Sequence, residues 1–199
     1  MLLQGMDTHF KAQSHEAITL NVWPDNNPLF TYSLAHLITE TNVINRVEEF
    51  LFVNFCIDNV IFFIHDDWLE NLHKTGLKVV LVIDRFMPSL AKYWHNKQKD
   101  MILLSVEDKD IKTFVSALDS LSYGQSVVLK DVVPITEKEI FVLRKRLSGM
   151  SVRNIAPILN CSPKSIYYYQ YSLLKKLRRS SRIGEIYIHC SHLHDAYLR

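Results

Sequence analysis

ITEKEIFVLRKRLSGMSVRNIAPILNCSPKSIYYYQYSLLKKL, residues 135–177, carries the start signals, the stop signal and the apolar spacing of three short helices. Thr136 followed by Glu139 is a capping box, since each side chain can take up the other residue's free backbone N–H. Ile140, Leu143 and Leu147 then recur on one face, and Gly149 supplies the left-handed residue that stops the helix. Ser151 caps a second helix with Ile155, Ala156 and Leu159 as its buried stripe. Pro157 inside it removes a backbone hydrogen bond, which predicts a short or kinked helix. Ser162 and Pro163 are a preferred N-cap and first-turn pair and open a third helix that runs to about Leu177. The pattern is that of a helix-turn-helix.

The third helix has two unlike sides. At roughly 100° per residue, Ile166, Gln170, Leu173 and Leu177 share one side, with Tyr169 on its margin. The other side carries Lys164, Tyr167, Tyr168, Tyr171, Lys175 and Arg178. Tyrosines grouped on a helix surface call for a partner surface, and cations among them are suited to phosphate. The expected partner is therefore double-stranded DNA. A second reading packs these tyrosines against the other half of the chain.

The stretch resembles the DNA-binding domain of LuxR-type (FixJ/NarL-like) bacterial regulators. Thr136, Glu139, Val142, Leu143, Gly149, Ser151, Ile155, Ala156, Leu159, Ser162, Lys176 and Leu177 match that pattern as they stand, and Ser165 and Ile166 replace its Thr-Val pair. Tyr167 and Tyr169 depart from it, standing where the family usually has Lys and His. The resemblance implies that Tyr167, Tyr168 and Tyr171 face the bases of a promoter, with Arg153, Lys164, Ser165, Lys175 and Arg178 on phosphates. It also implies a fourth helix, in which Ile183, Ile186, Tyr187 and Cys190 follow i, i+3, i+4, i+7 spacing and pair two copies into a homodimer. Alternatively that stripe packs on the first helix.

Charge divides the chain in the same place. Residues 131–199 hold 12 Lys and Arg against 5 Asp and Glu, net +7, whereas residues 1–130 hold 11 against 16, net −5. The basic half is drawn to phosphates and the acidic half is kept off them. With 199 residues and 48% hydrophobic content the chain can build a core in each of two domains. Its densest apolar runs, residues 60–64 and 79–83, are too short to span a bilayer, and no basic, apolar leader opens it. A cytoplasmic protein without membrane contact is expected. Cys56, Cys161 and Cys190 are an odd number without C-x-x-C spacing, which fits reduced thiols, with a redox sensor as the alternative.

The first half alternates strand and helix patterns. Strands are expected over residues 18–23, 50–56, 78–84 and 101–106, and helices over 28–40, 59–74, 88–96 and 110–122. This order predicts a parallel sheet with helices on both faces. Its order and its place ahead of a LuxR-type domain make it similar to a receiver domain. The comparison puts Asn54 at the phosphoacceptor, Asp84 at the hydroxyl position and Ser105 at the lysine, with only Asp25 near the metal-binding carboxylates. The span between residues 40 and 50 is too short for a full βα unit, so a truncated receiver that is not phosphorylated in the usual way is expected.

KVVLVIDRFMPSLAKYWHNKQKD, residues 78–100, and NCSPKSIYY, residues 160–168, also resemble fimbrial-operon regulators of the EcpR type, which implies control of a fimbrial or other surface-structure operon. His65, Asp66, Asp67, Glu70 and His73 read as the solvated face of a helix, and His189, Cys190, His192, His194 and Asp195 as a chain end, with a metal site the lesser reading of each. No phosphate loop, nucleophile elbow or triad is present, so neither an enzyme nor a cofactor is expected.

The organisation predicted is an α/β receiver-like domain over residues 1–123, a linker over 124–133 and an all-α, four-helix LuxR-type domain over 134–199. The function predicted is phosphorylation-independent transcription regulation, with contact to RNA polymerase or a co-regulator. The alternative is an interaction or ligand-sensing protein that acts on another regulator.

Overall fold

A computed structural model of the chain describes residues 7–9, 18–106, 110–123, 129 and 131–177. Arg178 and the expected fourth helix with Ile183, Ile186, Tyr187 and Cys190 lie outside the described residues, as does the His/Cys-rich tail.

The N-terminal half is built on a five-stranded sheet in the order β1 (Asp7–His9), β2 (Thr19–Trp23), β3 (Phe50–Phe55), β4 (Lys78–Ile83) and β5 (Ile102–Ser105). β2 to β5 are parallel, and β1 pairs antiparallel with β2. The strand and helix pattern predicts a wholly parallel sheet; antiparallel β1 departs from it, and its three residues Asp-Thr-His carry no alternation that marks a strand. β3 is buried at every position because the sheet is covered on both faces. Phe50 and Phe52 share a cluster with α1 (Pro28–Thr39) and α4 (Ile111–Ser120), while Leu51, Val53 and Phe55 pack with α2 (Asp67–His73) and α3 (Pro88–Lys97).

Between α1 and β3 there is only a 3₁₀ helix, Asn42–Glu49, which leads straight back into the sheet. All three crossovers step the same way across the sheet, yet the β2–β3 connection lies on the opposite face from the two that follow. It therefore has the opposite hand from them, an arrangement parallel sheets seldom adopt.

A second departure concerns residues 59–74, where one helix was expected. A 3₁₀ helix, Ile57–Phe63, precedes the short α2 instead. The carbonyl of Ile64, which a continuous helix would bond to its own next turn, accepts from Arg144 Nε of the C-terminal half.

α5 (Glu137–Leu147), α6 (Val152–Ile158) and α7 (Pro163–Lys176) form the helix-turn-helix that the sequence predicts. Both arms of the Thr136–Glu139 capping box are made. Gly149 adopts φ 81°, and Asn160 takes a left-handed φ of 48° after α6. α6 is short, as its internal Pro157 predicts, and ends one residue after it. Val142, Val152, Ile155, Ala156 and Ile166 make a small core of their own, but Ile140, Leu143, Leu147, Leu173 and Leu177 belong to the same apolar cluster as Phe63 and Trp94. The two halves share a core.

Candidate nucleic-acid interface

α7 is fixed on one side and open on the other. Ile166, Leu173 and Leu177 are fully buried, while Tyr167, Tyr168 and Tyr171 are 61%, 67% and 70% exposed. Lys164, Tyr167, Tyr168, Tyr171 and Lys175 fall within an arc of about 100° around the helix, given roughly 3.6 residues per turn. Lys164 and Lys175 are exposed, as is Arg153 on α6, and none of the three has an ion-pair partner among the described residues. Ser165 is half-buried in the helix cap, where its N–H donates to Ser162 Oγ at 3.2 Å. Tyr169 is half-buried against the small core and meets Tyr168 edge-on at 6.1 Å. The second reading of the tyrosines, packing on the other half of the chain, does not describe Tyr167, Tyr168 and Tyr171 here.

What aims this face is a buried ion pair. Glu139, 3% exposed, accepts from Ser172 Oγ and Lys176 Nζ of α7, each at 2.6 Å, and from the Thr136 N–H at 2.7 Å. Lys176 Nζ also donates to the Pro134 carbonyl at 2.9 Å. Burial raises the Glu139 pKa, but the donors from Lys176, Ser172 and Thr136 outweigh it and hold the carboxyl below its ordinary range. Adjacent lysines thus divide: Lys175 faces solvent and Lys176 is turned inward. The capping role of Glu139 is visible in the Thr136–Glu139 spacing, whereas its tie to α7 has no local signal in the sequence.

The residues compared with a receiver's phosphorylation site lie together at the C-terminal edge of the sheet. Asn54 and Ser105 are buried in β3 and β5, and Asp84 follows β4. The Asp84 carboxylate accepts from the N–H groups of Ile57 at 2.9 Å and Phe86 at 2.8 Å, so it fastens the loops after β3 and β4. Burial raises its pKa against those donors.

The sequence profile described as EcpR N-terminal domain matches residues 5–122. The chain belongs to the EcpR N-terminal domain family. Behind that domain, the profile described as bacterial regulatory proteins, luxR family, matches residues 133–188, which makes the chain a LuxR-type DNA-binding regulator with an EcpR-type N-terminal domain. The uncharacterized protein YqeH of Escherichia coli (strain K12) is 26% identical to it over 167 residues, 84% of this chain and 79% of that protein. Similar solved structures include two RcsB dimers bound to two parallel DNAs, with a TM-score of 0.49 at 14% identity, covering 84% of this chain and 94% of that one. RcsB from Salmonella enterica serovar Typhimurium bound to promoter rprA gives a TM-score of 0.39 at 17% identity, covering 80% and 95%.

In this EcpR-family chain the LuxR-type helices are also tied to the N-terminal domain by polar contacts. Lys97 of α3 pairs with Asp66 and with Glu137 of α5, each at 3.2 Å, and Tyr93 donates to Glu137 at 2.9 Å. Arg144 of α5 pairs with Asp66 at 3.3 Å, and the Ile135 N–H donates to the Ser89 carbonyl at 3.1 Å. Burial works against the charge of Lys97, but Tyr93, Glu137 and Asp66 keep its pKa raised. Asp66, read from sequence as part of a solvated helix face, is an interdomain anion. His73 instead approaches Asp100 at 3.9 Å, and among the described residues no three His, Cys, Asp or Glu side chains are grouped to hold a metal. Among those residues, too, no helix is long and apolar enough to cross a membrane.

Proposed function

We propose that this EcpR-family chain reads promoter DNA in sequence as a homodimer and is controlled without aspartyl phosphorylation. The exposed tyrosines of α7, flanked by Lys164 and Lys175, which have no ion-pair partner among the described residues, carry the proposal. Tyr167, Tyr168 and Tyr171 meet base edges in the major groove through phenol hydrogen bonds and apolar contact with thymine methyl groups, which favours an A·T-leaning site. Arg153, Lys164, Ser165, Lys175 and Arg178 meet phosphates, and Ile183, Ile186, Tyr187 and Cys190 join the two copies. The resemblance of residues 78–100 and 160–168 to fimbrial-operon regulators supports a fimbrial or other surface-structure operon as the target, and RNA polymerase or a co-regulator is a further contact of this reading. Such work on promoters takes place in the cytoplasm and needs no cofactor.

The test separates base reading from charge. Changing Tyr167 or Tyr171 to Phe removes a hydroxyl and no charge, so preference for the specific site over random DNA is expected to drop by about 1–3 kcal/mol with the salt dependence unchanged. Lys164→Ala should weaken all sequences alike and reduce the salt slope by about one per protomer. Binding isotherms on specific and random duplexes at several salt concentrations measure both. A Tyr171→Phe protein that keeps its full preference, or tyrosine-to-alanine variants that lose a protein partner and retain DNA, would favour the reading in which this face engages another regulator.

Phosphorylation independence follows from Asn54, whose amide cannot attack a phosphoryl donor, and from Ser105, which offers the product no cation. Incubation with Mg²⁺ and acetyl phosphate, followed by intact-mass measurement, should give the unmodified mass. A stoichiometric phosphoryl adduct would refute it.

A further inference from the structure

The C-terminal edge of the sheet borders a cavity of about 380 Å³ between α1 and α4 that is partly open to solvent, inside the size range of small-molecule sites. Its walls are apolar, with Phe30 and Leu34 from α1 and Phe114 from α4. Its floor holds Asn54, Cys56 and Asp84. Asn54 is only 5% exposed, and its side-chain Nδ2 has no hydrogen-bond partner among the described residues, although its backbone carbonyl accepts from Asn59 at 3.0 Å. A buried donor without an acceptor is unfavourable unless something that enters the cavity supplies one.

The other floor residues narrow what can enter. Both Asp84 oxygens already accept from backbone N–H groups, and its carboxylate disfavours an anion. Burial pushes the Cys56 thiol up to about 11, so it stays protonated and is a poor nucleophile, which leaves reversible binding as the mode.

We propose that this cavity is a binding site for a neutral, largely apolar small molecule whose carbonyl oxygen accepts a hydrogen bond from the Asn54 amide. The site goes beyond the DNA-binding reading and stands whether or not α7 contacts DNA. α4 forms one wall of the cavity, and Asp119 near its end accepts from Asn42, so an occupant touches the element that precedes the linker region.

The test uses full-length protein without DNA and the neutral fluorophore N-phenyl-1-naphthylamine, displaced by 2-acetylnaphthalene or by its carbonyl-free analogue 2-ethylnaphthalene. Saturable binding of one fluorophore per chain is expected, with the acetyl compound about tenfold tighter than the ethyl compound, the worth of one hydrogen bond. Asn54→Leu should keep fluorophore binding and erase that tenfold preference. Ser33→Trp, at an exposed position of α1 on the cavity rim, should block all three compounds and leave the fold intact by circular dichroism. Absence of saturable binding to the wild type overturns the proposal, as does binding that survives Ser33→Trp. An acetyl preference undiminished in Asn54→Leu does the same, and if that variant fails to fold, the Ser33→Trp result decides alone.

Discussion

Affinity of the full-length chain for a specific duplex is expected to fall about 10⁴-fold as salt rises from about 50 to 200 mM. Four cations per protomer are assigned to phosphates, Arg153, Lys164, Lys175 and Arg178, hence eight in a homodimer. Each neutralised phosphate contributes about −0.9 to the slope of log affinity against log salt, so the slope approaches −7. The three described cations of this set have no carboxylate partner among the described residues, so binding need not first break an ion pair. Fluorescence anisotropy across a salt series measures the slope, and a value shallower than about −2 would remove the α7 face as the main phosphate contact. The whole chain is the proper sample. The stripe of α5 packs in one cluster with Leu173 and Leu177 of α7 and with the N-terminal domain, so a fragment starting near residue 131 would lose part of the cover over Ile140, Leu143 and Leu147.

Glu139→Ala is expected to destabilise the protein by about 3–5 kcal/mol, because it strands Lys176 as a buried charge without its partner. The side chains of Glu139 and Lys176 are 4% and 15% exposed, so water does little to replace the lost contact. For a chain of this size that corresponds to a fall in Tm of roughly 6–20 °C. The pH dependence has a definite sign. The folded Glu139 pKa is depressed, so its contribution is complete above the unfolded value of about 4.3 and is lost as pH falls through the folded value. Thermal unfolding of wild type and Glu139→Ala between neutral and acid pH checks both statements. A variant within about 1 kcal/mol of wild type at neutral pH would mean that the α5–α7 tie does not hold the recognition helix. Replacing Glu139 and Lys176 together by Met should cost less than the single change, since no lone charge is left behind.

The sequence disclosed most where the physics is local. A cap bonds within one helical turn, a left-handed stop depends on a single residue, and a stripe at helical spacing marks a buried face without reference to its partner. Thr136, Glu139, Gly149, Ser151 and Ser162 therefore located α5, α6 and α7 from the sequence, and the alternating strand and helix patterns of the first half gave the parallel β2 to β5. The exposed side of α7 was legible for the same reason: three tyrosines and two lysines on one arc cannot be buried together with Ile166 and Leu173 on the opposite arc.

Non-local facts were not legible. Lys175 and Lys176 are neighbours of one type in the sequence, and only the approach of Glu139 from another helix turns the second inward while the first stays in water. Asp66 looks like any charge on a helix surface until Lys97 and Arg144 arrive from α3 and α5. Where one helix is expected over residues 59–74, a 3₁₀ helix and the short α2 stand instead, and Ile64 between them gives its carbonyl to Arg144, a contact between residues far apart in the chain. Asn54 could be compared with an acceptor from its position alone, but its unpartnered amide at the bottom of an apolar cavity depends on how α1 and α4 close over the sheet. By itself, then, the sequence determined the helix-turn-helix, the succession of strands and helices that makes β2 to β5 parallel, and the outward tyrosine face, each read from caps and periodicity within single segments. The tertiary structure alone decided which charges are buried, how the two halves join in one core and what the sheet edge encloses, because those depend on side chains that meet only after the chain has folded.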